Sequence, residues 1–236
     1  VQPFGGEGLS GTGPKAGGPM YLPRLLATRP ASLPAELNRN EAALSPLVSY
    51  RDWLRAQDNS ADSAAAIHRV DRYLATSALD ATAVLPGPTG ERNTYGLEPR
   101  GPVLCVAATP LGARTQLAAA LATGNDAVFT ESIAARELVS ALPAALKGRA
   151  SVLAAGADAA AEPSLAAVLF EGDSDELRAL NRRIATRNGP ILSMQGLAPE
   201  ALAAGDDYAL ERLLCERSVS VNTAAAGGNA NLMTIG

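Results

Sequence analysis

Residues 103–129 read VLCVAATPLGARTQLAAALATGNDAVF. A short unbroken apolar run from Val103 to Ala107 leads to an alanine-rich helical stretch, 113–122, which Gly124-Asn125 stops; Ala127-Val128-Phe129 is then a second apolar run. A strand, a helix and a strand in so short a span imply parallel pairing. Neighbouring parallel strands need a crossover, and the helix provides it. The alternation continues C-terminally: Ser132 opens a helix expected to reach Leu146, 151–155 and 166–170 read as strands, and 174–186 reads as a helix ending near Asn188-Gly189. Strands at 191–194 and 218–221 complete the set. The expected fold class is α/β, a Rossmann-like, mostly parallel sheet with helices on its faces.

Toward the N-terminus the pattern changes. Residues 83–101 contain Pro86-Gly87-Pro88 and Thr89-Gly90, which are turn chemistry, and 93–97 read as a short edge strand. Before them, Asn59-Ser60 precedes Ile67, Val70, Tyr73 and Leu74 at helical spacing, and this face is expected to pack on the α/β body. An earlier helix is expected to open at Ser32 and Pro34 and to reach Trp53 and Leu54. The sheet is thus preceded by a helical segment.

Composition limits the functions available. Of 236 residues, 47% are hydrophobic and 19% charged, a globular balance, and aromatics at 4% leave the core to Ala, Leu and Val. A formal net charge of -4 gives no electrostatic basis for nucleic acid binding. No apolar run approaches the roughly 20 residues of a membrane span and no signal peptide opens the chain, so a cytoplasmic location is expected. Two cysteines, Cys105 and Cys215, and the single histidine, His68, supply neither a disulfide framework nor a metal site. Both thiols read as inert, one inside an apolar strand. His68 reads as a helix-surface side chain, Asp206-Asp207 as a solvated turn or cap, and Glu91-Arg92 as an exposed loop pair.

Residues 1–19, VQPFGGEGLSGTGPKAGGP, are rich in Gly and Pro. Gly6 to Gly11 matches G-x-G-x-x-G, but that motif holds a pyrophosphate only between a strand and a helix, and neither flanks it here. No Lys-Ser/Thr follows the glycines for a P-loop either. Instead Pro3-Phe4-Gly5-Gly6 with Ser10-Gly11 resembles the motif near the end of the aldehyde dehydrogenase catalytic domain. With YLPRLL at 21–26, and ERSVSVNTAAAGGNANLMTIG at 216–236, the chain resembles one branch of that superfamily along essentially its whole length. This is the proline utilization A family, bifunctional bacterial flavoenzymes joining proline dehydrogenase to L-glutamate-gamma-semialdehyde dehydrogenase.

The resemblance implies that 1–25 are the tail of an aldehyde dehydrogenase domain, 26–100 a helical and loop connector, and 101–236 a degenerate Rossmann-like domain ending in an arm. It implies NAD and FAD in the full-length enzyme, with no cofactor and no catalytic residue in this stretch. Residues 116–138 resemble the dehydrogenase cofactor domain, but Thr130 and Ile133 stand where a Lys and a Glu would grip the adenosine ribose. The sequence from Phe170 to Glu176 stands where Phe-Thr-Gly-Ser would face the diphosphate, and Asp173, Asp175 and Glu176 occupy the positive helix end themselves. Thr109-Pro110-Leu111 replaces Pro-Trp-Asn. Phe4 is the one implied site residue, lining the aldehyde pocket of the intact enzyme, although in this stretch alone it reads as a loose terminal residue.

Three roles stay open: a noncatalytic module that covers the semialdehyde dehydrogenase domain of the same polypeptide and helps enclose a substrate passage, a dinucleotide-binding domain, or an oligomerisation module. The full-length enzyme is expected to be a homo-oligomer, and Leu232, Met233 and Ile235 of the arm are expected to dock on the dehydrogenase domain.

Overall fold

The computed structural model describes residues 2–6, 13–26, 37–57, 60–162 and 164–223. The helix start expected at Ser32 and Pro34, most of the glycine motif and the arm from Ala224 onward lie outside the described residues.

Helix α1 (Ser45–Gln57) follows a 3-10 turn at Glu41–Leu44. Helix α2 (Ala61–Thr76) opens where Ser60 accepts a hydrogen bond from the Ser63 amide, as the cap signal indicated. Leu47, Tyr50 and Leu54 on α1, and Ala66, Val70 and Tyr73 on α2, recur at helical spacing and are all buried. Strands β1 (Thr82–Leu85) and β2 (Glu91–Pro99) then form an antiparallel hairpin around the Pro-Gly-Pro turn.

The α/β alternation follows: β3 (Val103–Val106), α3 (Pro110–Ala122), β4 (Ala127–Phe129), α4 (Ile133–Ala141), β5 (Ala150–Val152), β6 (Ala167–Glu171), α5 (Ser174–Ala185), β7 (Ser193–Leu197) and α6 (Pro199–Ala204). These strands form a five-stranded parallel sheet in the order β5-β4-β3-β6-β7. The chain steps outward from β3 to β5, then returns to the other side of β3. Connections therefore diverge between β3 and β6, which makes the C-terminal ends of those two strands the switch point where this architecture opens a crevice.

Side chains alternate across the sheet. Val103, Cys105, Phe129 and Leu169 join α3 and α4 in one core, whereas Leu104 and Val168 join Ile184 of α5 in another. Helix α3 is buried around most of its circumference, from Leu111 to Ala122, because the sheet lies beneath it and α1 and α2 lie on top. Its alanines at 118, 119, 120 and 122 let those layers approach closely. At its end Gly124 has φ +68, and a Cβ there would come within 2.8 Å of Pro99 and 2.9 Å of Leu79, so the helix stops hard against the base of the hairpin.

The last strand, β8 (Leu214–Asn222), departs from expectation. It is a strand, but it pairs antiparallel with β2 along nine residues, giving a second sheet ordered β1-β2-β8. This makes β2 the central strand of three, not an edge, and places Glu91-Arg92 at its start, exposed but outside a loop. The inner face of this sheet buries Tyr95, Leu97 and Leu214 with Met20, Leu37, Leu44 and Leu79. Two further boundaries move. Helix α4 ends at Ala141 because Leu142 precedes Pro143 and is driven to an extended conformation, φ -58 and ψ 140. Strand β7 begins at Ser193, where its pairing with Ala167 starts, leaving Ile191 exposed.

Candidate functional site

All five parallel strands end at one edge, so the residues singled out at 109, 130–133 and 170–176 come together there. At the switch point the crevice holds a side chain of the protein itself. Glu171, the last residue of β6 and almost fully buried, turns its carboxylate onto the start of α3. Oε2 accepts from the amides of Ala108 at 2.8 Å and Thr109 at 2.9 Å, and the Thr109 hydroxyl donates to Oε1 at 2.6 Å. That hydroxyl also caps α3 by accepting from Gly112 N at 3.0 Å. A Cβ on Gly112 would collide with the carboxylate, so the helix start is shaped around it.

The neighbouring helix end is equally occupied. Asp173 Oδ1 accepts from the amides of Asp175 and Glu176, both at 2.8 Å, and Glu176 Oε2 accepts from Asp173 N at 3.1 Å, a closed capping box. A dinucleotide phosphate binds such helix ends through free amides and a positive field. Here the amides bond to carboxylates and the local charge is negative, so the residues present do not fit NAD in this crevice. Thr130 follows β4 directly, its amide donating to Cys105 O at 3.0 Å, and Ile133 stands exposed at the head of α4.

Behind the crevice, Tyr208 donates to Phe170 O at 3.0 Å and accepts from Gln116 Nε2 at 3.0 Å. Burial pushes the Tyr208 hydroxyl well above the ordinary tyrosine value, which keeps it a neutral donor. Burial likewise raises the Cys105 thiol far above the thiol range, so the nucleophilic thiolate does not form there. His68 is exposed on α2 and Cys215 is half-buried. Among the described residues no cluster of three or more His, Cys, Asp or Glu side chains could hold a metal. Nor is any helix among them long and apolar enough to cross a membrane.

Asp207 is more than a solvated turn residue. Arg72 pairs with it at 2.6 Å and the buried Arg69 at 3.3 Å, which fastens α2 to the segment after α6. Arg69 also donates to Leu202 O.

The Phe4 segment is fixed, which corrects the expectation of a loose end. Phe4 N donates to Ala16 O at 3.1 Å and Ala16 N to Phe4 O at 2.7 Å, a two-residue antiparallel bridge. The ring itself is 83% exposed. Lys15 Nζ donates to Gly5 O at 2.7 Å and Lys15 N to Glu216 Oε2 at 2.6 Å; the other Glu216 oxygen accepts from the Tyr95 hydroxyl at 2.6 Å. Glu171 and Glu216 are the two residues that reading the sequence missed. A signal existed for the second: alternation along β8 puts Glu216 on the same inward face as Leu214.

Across its whole length the chain is 47% identical, over 248 residues, to the bifunctional protein PutA of Escherichia coli K12, and 44% identical, over 238 residues, to that of Rhizobium meliloti. The chain belongs to the PutA family. It spans 18% of the length of each of these PutA relatives. No family model matches it. Among solved structures, a PutA with proline bound in remote sites superimposes with a TM-score of 0.56 at 22% identity, covering 68% of this chain and 20% of that one. Indole-3-acetaldehyde dehydrogenase in its apo form gives a TM-score of 0.56 at 18% identity, covering 67% and 43%. At such identities the likeness is one of fold, and the fold of this PutA segment is aldehyde-dehydrogenase-like.

Proposed function

We propose that this chain is the C-terminal portion of a bifunctional enzyme that oxidises proline to glutamate, and that its Rossmann-like body is a noncatalytic cover. In this reading residues 1–25 finish the semialdehyde dehydrogenase domain and 26–100 connect it to the body at 101–236. The body lies over that domain and helps enclose the passage between the two active sites, with the arm beyond Asn222 as part of the seal. NAD and FAD belong to other parts of the polypeptide, and the ring of Phe4 lines the semialdehyde pocket.

The observation that carries this reading is the Glu171 carboxylate, which takes the Ala108 and Thr109 amides in the crevice where a dinucleotide would bind. The test is the stoichiometry of NAD binding to the full-length enzyme by calorimetry. A single NAD per polypeptide is expected; a second site would make this body a dinucleotide-binding domain. The same enzyme lacking residues 223–236 should keep proline dehydrogenase activity and lose coupled flux to glutamate, and unchanged flux would remove the sealing role.

One observation favours an added role in assembly. Among the described residues β8 is the end strand of the order β1-β2-β8, the position at which a strand from another subunit would add. The oligomeric state of the full-length enzyme with Val219→Pro, measured by light scattering, reports on that edge.

A further inference from the structure

We propose that Glu216 is a positioning residue for Phe4, and through it for the semialdehyde substrate. The inference rests on the reading of Phe4 given above. Glu216 is only 6% exposed, and none of the described ion pairs involves it. A buried carboxylate needs strong donors to offset its lost hydration. Both of its oxygens are used, and they join two elements far apart in sequence: Tyr95 of the hairpin and the backbone of Lys15.

The Lys15 bond sets where the glycine-rich segment lies on the antiparallel sheet. The next residue, Ala16, pairs in both directions with Phe4, and the Lys15 ammonium holds Gly5 on its other side. Gly18 closes the arrangement: a Cβ there would stand 3.1 Å from Glu216 Oε1 and 3.0 Å from Lys15 O, tight enough to need displacement of a neighbour. The result is a fixed backbone beneath an aromatic ring that faces solvent. Such a ring contributes nothing to this chain's own core, whereas a wall of a pocket completed by other residues has this form. Glu216 touches neither the ring nor the substrate. It acts by fixing the backbone that carries the ring.

The test uses the full-length enzyme and steady-state oxidation of the semialdehyde. Glu216→Ala is expected to raise KM for the semialdehyde about tenfold, with kcat within about twofold and KM for NAD and proline dehydrogenase activity unchanged, because what is lost is placement of a binding surface. Glu216→Gln should restore KM to within about threefold, since its amide oxygen still accepts from Lys15 and its NH2 can donate to the Tyr95 oxygen. Phe4→Ala should raise KM by itself, and adding Glu216→Ala to it should raise KM little further. If Phe4→Ala leaves KM unchanged, the reading of Phe4 fails. If Phe4→Ala raises KM and Glu216→Ala does not, that reading stands and the positioning role is overturned. Should Glu216→Ala abolish proline dehydrogenase activity too, marking a folding failure, Tyr95→Phe takes its place: it frees one Glu216 oxygen and should raise KM about twofold to threefold. No change in KM for that variant overturns the proposal.

Discussion

Glu171 is buried while its donors, at Ala108 and Thr109, lie nearer the surface, and its replacement has a calculable cost. Glu171→Gln keeps the shape and one acceptor but loses the charge that strengthens three hydrogen bonds, so a loss of about 1 kcal/mol is expected. Glu171→Leu leaves the Ala108 and Thr109 amides without a partner and should lose about 3 kcal/mol. Urea denaturation midpoints of the two variants test the order; equal stability for both would mean water replaces the carboxylate. The sequence around Glu171 showed an apolar strand running into a glycine, and the acidic residues of the capping box were legible because their partners lie within three positions. The partners of Glu171 lie 62 and 63 residues away, a distance at which local patterning carries no information. Asp207 was misread for the same reason, since Arg69 and Arg72 reach it from another helix.

Helix α2 couples the two layers. Val70 is fully buried against the parallel-sheet core, and the half-buried Leu74 touches both that core and the one beneath the antiparallel sheet. Val70→Asp and Leu74→Asp should each destabilise the protein by several kcal/mol, Val70→Asp by more, because each places an unpaired charge in apolar surroundings. Thermal unfolding checks this, and an unchanged transition for Leu74→Asp would mean that its half-exposed side tolerates the charge. Periodicity identified this face and every strand except β1, which is only four residues long and runs straight into the Pro-Gly-Pro turn chemistry that hid it. It could not assign β8 to a sheet, because alternation tells which side chains share a face and says nothing about which strand is the neighbour. Boundaries moved where a proline or the start of a ladder decided them, as at Leu142 and Ser193.

At the scale of the molecule, the largest core, which α1, α2 and α3 build against the parallel sheet, depends on tyrosines that must stay neutral. Burial raises Tyr50, Tyr73 and Tyr208 well above the ordinary tyrosine value of about 10. Above about pH 10 the unfolded chain releases protons that the folded chain retains, so stability is intact below that pH and falls as pH rises further. Circular dichroism and tyrosinate absorbance should therefore change together in an alkaline titration of a Tyr21→Phe variant, which keeps only the buried tyrosines; tyrosinate appearing first, with structure retained, would contradict the burial of these rings.

The bond between Lys15 and Glu216 spans 201 residues. At a synthesis rate of roughly 5–20 residues per second, Lys15 leaves the ribosome about 10–40 s before its partner exists. During that interval the parallel sheet, complete at Leu197, can already form around α3. The hairpin cannot finish, because its apolar inner face with Tyr95 and Leu97 lacks the Leu214 that shares its core. This stretch of the nascent chain thus carries a folded parallel-sheet body beside an uncovered apolar surface until β8 emerges. That interval is when a ribosome-associated chaperone would have something to hold.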